Sequence, residues 1–386
     1  MTTISPPRLD WLSDQVRLWQ GEGLLDAEQS EAILGRYAAA TRRLPLVRLF
    51  VALGSLFVGV GLLWLVAANI ESLSPGVRVA LVAVAWLAAL VGGEVLAARS
   101  SARSSLLAGA VRLLATLLVG ALVFQSAQTL QVPAYEPVLL GCWAAAALVH
   151  AYAVGALLPL LVGVSTGTVF VLWQSLETAW SGLAFVVALG SVGLAALAVA
   201  SLHARWLPAF GAAWREVGAL LVLVAVTVGA FPPVVREGWD PQAGTWVLVA
   251  LALLLAAIGL VRGERLDRVE IAVGLTALLG AGALVLWEAG SDGSADLSGA
   301  DVTHAVVGIA LCAGAAVALA VDGTLRASGR LVVLATAALV VVTTLQAFTV
   351  FAPVLEGAWL FLLLGVVLVG TGLAFDRGRR RLAEAL

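Results

Sequence analysis

Long apolar blocks follow one another along most of this chain, starting at Leu46. Each block is long enough to cross a hydrocarbon layer roughly 30 Å thick as an α-helix. Polar residues, glycines and prolines separate the blocks. The pattern predicts about twelve membrane spans, at residues 46–68, 77–97, 107–129, 138–154, 156–174, 182–202, 216–233, 245–261, 269–289, 303–321, 331–351 and 357–375.

The segment before Leu46 has a different pattern, with apolar residues at helical spacing among charged ones: Trp11, Leu12, Val16 and Trp19. Gly21 and Gly23 interrupt it. Asp26 followed by Gln29 predicts an N-cap with its capping-box partner, opening a second helix that runs through Tyr37. We therefore predict a short helical hairpin before the first span.

The fold class that follows is all-α, a polytopic transmembrane bundle. We divide the chain into a soluble amphipathic helical hairpin at 1–43, a transmembrane domain at 44–375 and a basic cytoplasmic tail at 376–386. The first 40 residues contain no apolar run behind a basic start, so we expect no cleavable signal peptide.

Composition supports a membrane protein and argues against a soluble one. Hydrophobic residues make up 61% of the chain and charged residues 12%, and the mean hydropathy is +1.03. Soluble domains are nearer one quarter charged. The formal net charge of −2 gives no reason to expect nucleic acid as a partner. The basic residues are all arginine, which favours a prokaryotic source.

Charge and tryptophan placement predict the orientation. With twelve spans and both termini in the cytoplasm, only Arg78 and Arg236 fall in outer loops, as the positive-inside rule requires. Merging the fourth and fifth spans would give eleven spans and put most later arginines outside. Tryptophan side chains favour the membrane interface. Eight of the thirteen tryptophans lie at or near the outer ends of predicted spans: Trp64, Trp143, Trp173, Trp180, Trp239, Trp246, Trp287 and Trp359.

Several short motifs resemble one family of bacterial and archaeal membrane proteins, Domain of Unknown Function 2157. They are the segment 19–29, the run Leu-Gly-Ser-Leu-Phe-Val-Gly-Val-Gly at 53–61, the run Val-Ala-Ala-Asn at 66–69 with Glu71 and Arg78, and Gly120 with 124–128. The family usually has Trp after the Asn, where this chain has Ile70. The resemblance covers roughly the first 140 residues. It implies a multi-span membrane protein and no established activity.

Ionisable residues deep in a membrane span mark function by default, because they cost about 2.5–3.5 kcal/mol to insert. Arg112 lies about one turn inside the predicted third span, and Glu94 lies near the inner end of the second. Arg112 can snorkel to the cytoplasmic headgroups as an interface anchor, or it can be a buried functional group. We favour the anchor. Glu270 and Asp322 fall at inner span ends.

Uncharged polar residues recur in the outer halves of some spans. We predict that they line a polar cavity or form hydrogen bonds between helices: Asn69, Gln125, Gln128, Thr343, Thr344 and Gln346.

Catalytic and cofactor motifs are scarce in this sequence. Gly163 to Gly167 matches the G-x-S-x-G pattern, but it lies in an apolar helix without the strand-to-helix turn that a nucleophile elbow needs. The sequence contains no H-E-x-x-H and no P-loop. We therefore expect neither an enzyme nor a cofactor or metal site.

Two function classes remain open. One is a transporter, flippase or channel-like protein for a small or amphiphilic solute. The other is a membrane scaffold or sensor whose N-terminal hairpin recruits a cytoplasmic protein through Trp11 and Trp19. The lipid bilayer is the partner common to both, in a prokaryotic plasma membrane. The oligomeric state does not follow from the sequence.

Overall fold

The computed structural model is dominated by helices. It describes residues 2–4, 6–39, 53, 54, 57, 61, 74–99, 102–133, 135–177, 181–231, 243–287, 299–351, 365, 369, 370 and 377. The helices are α1 (Pro6–Gly21), α2 (Ala27–Leu34), α3 (Pro75–Ala98), α4 (Ala102–Thr129), α5 (Pro137–Val154), α6 (Leu157–Leu176), α7 (Gly182–His203), α8 (Pro208–Gly229), α9 (Ala243–Arg262), α10 (Arg265–Leu286), α11 (Gly299–Leu325) and α12 (Gly329–Phe351).

The N-terminal elements form the predicted helical hairpin with one addition. Asp26 caps α2: its Oδ1 accepts from the backbone N–H of Gln29 at 2.7 Å, and the Gln29 side chain accepts from the Asp26 backbone N–H at 3.1 Å. Our prediction that α2 runs through Tyr37 is wrong, because α2 ends at Leu34. Tyr37 instead begins strand β2 (Tyr37–Ala39), which pairs in parallel with β1 (Thr2–Ile4). Strands of three residues are too short to show a period in the sequence.

Nine of the described helices, α3 to α11, are long and apolar enough to cross a membrane. Helix α12 is also apolar over the part whose side chains the structure describes, Gly329–Leu345. These ten helices correspond to the predicted spans from 77–97 to 331–351. The predicted spans 46–68 and 357–375 lie almost entirely outside the described residues, so the full span count stays a prediction.

The fourth and fifth predicted spans are two separate helices. Helix α5 ends at Val154, and Gly155 takes up a left-handed conformation with φ of 64°. Glycine adopts that conformation without strain, which is why it often ends helices. Helix α6 then starts at Leu157, and α5 and α6 pack along one another. The sequence alternative that merges them is therefore wrong.

Helix α7 lies at the centre of the described bundle, packed by α6, α8, α9 and α10. Small residues let α7 and α8 approach closely: a Cβ built on Gly218 would lie 2.9 Å from the carbonyl oxygen of Gly193. Ala198 and Val226, in the largest apolar cluster, are completely buried. This close-packed centre holds the ends of α8, α10 and α11 side by side, where the polar residues collect.

Candidate functional site: a buried ion network beside an apolar cavity

Five ionisable side chains from three neighbouring helices meet at one end of the bundle, and we call them the ion network. They are Arg215 in α8, Asp267 and Glu270 in α10, Asp322 in α11 and Arg326 just after α11. Asp267 and Glu270 are three residues apart, so both project from one face of α10. Asp322 and Arg326 are four apart and face each other in the same way.

Arg215 joins α8 to α10 through both carboxylates of α10. Its Nη2 donates to Asp267 Oδ1 at 2.9 Å, and its Nε donates to Glu270 Oε2, also at 2.9 Å. The Arg215 side chain is 9% exposed. Hydrogen bonds between ionised groups of this length are about twice as strong as neutral ones.

Arg326 closes the network from the other side. Its Nε lies 2.8 and 2.9 Å from the two oxygens of Asp322, and its Nη2 donates to Asp267 Oδ1 at 2.8 Å and to Glu270 Oε2 at 3.3 Å. Burial alone would lower the pKa of Arg326, but the carboxylates of Asp322 and Glu270 outweigh it and hold the pKa above its ordinary value. Arg326 is therefore a permanent cation of the network.

Helix dipoles favour part of this arrangement and oppose another part. Asp267 lies in the first turn of α10, where the partial positive charge of the helix stabilises a carboxylate, and its Oδ2 accepts from the backbone N–H of Glu264 at 3.1 Å. Asp322 lies near the C-terminal end of α11, where the dipole disfavours an acid. The Arg326 contact compensates for that unfavourable position.

An apolar cavity of about 480 Å³ adjoins the network. Aliphatic side chains from α7, α8, α10 and α11 form most of its wall, including Leu197, Val222, Ala277 and Leu319. The polar residues among those that line it are Arg265, Glu270 and Asp322. The volume falls in the range of pockets that hold small-molecule ligands. A cavity of this kind suits a molecule with an apolar body and one polar end.

One oxygen of the network has no partner among the described residues. Glu270 Oε2 accepts from two guanidinium groups, but Glu270 Oε1 is buried and receives no hydrogen bond. Both oxygens of Asp267 and of Asp322 are engaged. Because Glu270 also lines the cavity, the residue that carries this unpaired oxygen lies between the network and the apolar space.

A second polar cluster lies between α3, α4 and α5. The Arg112 guanidinium binds the Glu94 carboxylate in bidentate fashion, with contacts of 2.8 and 2.6 Å. Thr116 donates to the carbonyl oxygen of Arg112 and lies 3.0 Å from His150 Nδ1, while the Trp143 indole donates to the carbonyl oxygen of Thr116 at 2.8 Å. Arg112 is thus an inter-helix ion-pair partner with 18% of its side chain exposed.

The comparison with protein families concerns this second cluster. Residues 17–160 match the family model Predicted membrane protein (DUF2157). The family resemblance of the N-terminal part is confirmed. The DUF2157 match includes α3, α4 and α5, and with them every residue of the second cluster, whereas the ion network and the cavity lie after it. No curated protein and no solved structure matches the chain.

The predicted polar-cavity residues that the structure describes lie on two helices with different neighbours. Gln125 and Gln128 are in α4, which packs on α3, α5 and α6, whereas Thr343 and Thr344 are in α12, which packs on α8 and α11. Thr343 is buried and Gln128 is exposed. Asn69 and the Gln346 side chain are outside the described residues. A cavity shared by these residues stays a prediction, and the cavity described above is lined by others.

The predicted partner-contact residues of the hairpin differ in exposure. Trp11 is 60% exposed, and Trp19 is half-buried. Val16, between them on the same helix, is buried. One indole is thus available on the surface of the hairpin.

The ion network is what sequence reasoning missed. The sequence places Glu270 and Asp322 separately at inner span ends, where contact with headgroups ordinarily explains a charged residue. The signal that could have found it is the i, i+3 spacing of Asp267 and Glu270 at the same predicted membrane face as Asp322 and Arg215. Within the described residues, no group of three or more His, Cys, Asp or Glu side chains is arranged to hold a metal ion.

Proposed function

We propose that this integral membrane protein binds a small amphiphilic solute in the apolar cavity and moves it between the two faces of the bilayer, as a flippase-type transporter. The observation that carries the proposal is a cavity of about 480 Å³ with aliphatic walls and a buried ion network at one end. Its walls come from four helices, so changes in their packing would open or close it.

The binding step can be tested with three probes of equal chain length: octanol, octanoate and octylammonium. Protein in phosphatidylcholine nanodiscs should bind at least one of them saturably, above protein-free nanodiscs. Ala318→Phe adds a ring at a half-buried cavity-lining position of α11 and should abolish that binding. Ala310→Phe, at an exposed position of the same helix, is the matched control. Absence of saturable binding for all three probes would refute the proposal.

The transfer step needs proteoliposomes. An acyl-labelled fluorescent phosphatidylethanolamine in the inner leaflet is protected from external dithionite unless it is moved outward. The wild-type protein should remove the protection, and the Ala318→Phe variant should leave it. If wild-type and protein-free vesicles retain the same protected fraction, the protein does not act as a flippase.

We further propose that the network end of the bundle and both termini face the cytoplasm of a prokaryotic cell. Support comes from the helix ends: Arg262, Arg265 and Arg330 lie at the network end, while Trp173 and Trp246 lie at the opposite ends of their helices. Single cysteines at Arg265 and at Asp292, in a background without Cys142 and Cys312, test it. Impermeant maleimide should label position 292 in intact cells and position 265 only after permeabilisation. Labelling of both from one side would overturn the orientation.

A second function is favoured by one specific observation, the 60% exposure of Trp11 on the N-terminal hairpin. Tryptophan is enriched among the residues that contribute most of the binding energy at protein interfaces. In this proposal the hairpin recruits a cytoplasmic protein. A photoreactive residue at position 18, beside Trp11 on α1, should cross-link to a partner protein. Trp11→Ala should remove that adduct. Trp206→Ala, which changes an exposed tryptophan elsewhere in the chain, should retain it. Equal adducts in both variants would exclude the role of Trp11.

A further inference from the structure

The charges of the ion network do not balance. Asp267, Glu270 and Asp322 supply three carboxylates, while Arg215 and Arg326 supply two guanidinium groups. When all are ionised, one negative charge remains in excess. Arg265 also lines the cavity, but its side chain is exposed and it makes no ion pair with these carboxylates within the described part of the chain.

An excess charge at this position is unfavourable because the groups around it are shielded from water. The side chains of Asp267 and Glu270 are 2% and 6% exposed. A buried charge is tolerated when an opposite charge and hydrogen-bond donors accompany it, and it is costly otherwise. With all five groups ionised, the network is therefore one positive charge short.

The position of the missing charge follows from the hydrogen bonds. Glu270 Oε1 is the buried carboxylate oxygen without a donor among the described residues, and its side chain borders the cavity. A proton on Glu270 would remove the excess charge without any ligand. A ligand that instead completes the network from the cavity carries a positive charge and an N–H or O–H donor that can reach Oε1.

The remaining cavity wall indicates the chemistry of the remaining part of the ligand. Beyond Glu270, Asp322 and Arg265, the wall consists of aliphatic residues and one glycine. Such a surface stabilises a hydrocarbon body by roughly 25 cal/mol for each Å² removed from water. A small inorganic cation would leave this apolar space unfilled.

We propose that the cavity binds an amphiphilic ammonium cation, whose N–H group donates to Glu270 Oε1 and whose hydrocarbon portion fills the aliphatic pocket. This inference rests on the proposed function and adds the chemical class of its solute. The bound ammonium group brings the network to three positive and three negative charges. A quaternary ammonium satisfies the charge but cannot donate the hydrogen bond, so it binds more weakly than a primary one.

The test compares octylammonium with octyltrimethylammonium and octanol in the same nanodiscs. Wild-type protein should bind octylammonium saturably and at least tenfold more tightly than octanol, with octyltrimethylammonium between them. Glu270→Gln balances the network at two charges of each sign. It should still fold but bind octylammonium at least tenfold more weakly, while keeping its affinity for octanol. Glu216→Gln is the control, because Glu216 pairs with the exposed Arg330 and does not line the cavity. This variant should bind octylammonium as the wild-type protein does.

The outcomes separate this inference from the proposed function. If octanol and octylammonium bind the wild-type protein equally, and Ala318→Phe removes both, the cavity takes amphiphiles but the ammonium preference is wrong. Unchanged octylammonium affinity in a folded Glu270→Gln variant also refutes the inference. Circular dichroism and size-exclusion chromatography establish folding for each variant before binding is measured.

Discussion

Replacing Arg215 with Met removes two charge-assisted hydrogen bonds and keeps an unbranched side chain at the same position. Asp267 and Glu270 would then share Arg326 as their remaining cationic partner, although their side chains are at most 6% exposed. Removing one partner of a buried ion pair costs about 3–5 kcal/mol, because the other charge is left without compensation. We expect Arg215→Met to lower the free energy of unfolding by that amount.

The matched control is Arg330→Met. Arg330 contacts Glu216 at 3.3 Å, but its side chain is 82% exposed. Exposed pairs of this kind contribute about 0–1 kcal/mol. Both variants can be unfolded in mixtures of dodecylmaltoside and dodecyl sulfate while helix content is followed by circular dichroism.

A double-mutant cycle strengthens the comparison. Glu270→Gln removes the charge that Arg215→Met strands, so the double variant should lose less stability than the sum of the two single variants. If Arg215→Met and Arg330→Met destabilise the protein equally, or if the two network changes are additive, the network does not act as a buried electrostatic unit.

Three further changes test other parts of the structure. A Cβ on Gly120 would overlap an indole ring of α5, so Gly120→Ala should lower the free energy of unfolding by about 1–3 kcal/mol. Gly109 has open space around it, so Gly109→Ala should leave that free energy unchanged in the same measurement. Asp26→Ala removes the N-cap of α2 and should lower the stability of the hairpin by about 0.5–2 kcal/mol, seen as faster amide hydrogen exchange in α2. Arg112→Lys cannot keep the bidentate contact with Glu94 and should lower the midpoint of unfolding; an unchanged midpoint would favour the headgroup-anchor interpretation.

The positions of the helices could be predicted because each one is encoded locally. An apolar run of about 20 residues needs no information from the rest of the chain to be recognised as a span. The turn at Gly155 and the cap at Asp26 are also local, since each depends on residues within one helical turn. The strand that begins at Tyr37 is not encoded locally, because it depends on a partner strand more than thirty residues away.

The ion network could not be predicted in the same way because its contacts are not local. Arg215 is 52 residues from Asp267 and 55 from Glu270. Each residue taken alone satisfies the rule that charges lie at span ends. Only the packing of α8 on α10 and α11 turns these separate ends into one cluster. The apolar cavity is not encoded locally either, since its wall is assembled from four helices.

The two polar clusters have different relations to the family, and this decides how their roles can be separated. The cluster of Glu94, Arg112 and His150 lies inside the segment that matches DUF2157, whereas the ion network and the cavity lie outside it. The family match therefore bears on the Glu94–Arg112–His150 cluster and not on the ion network or on the solute binding that we propose for the cavity. Changes at Glu270 should alter which amphiphile is bound and leave the α3–α4 ion pair intact, because the ion pair and Glu270 lie on helices that are not direct neighbours in the described bundle.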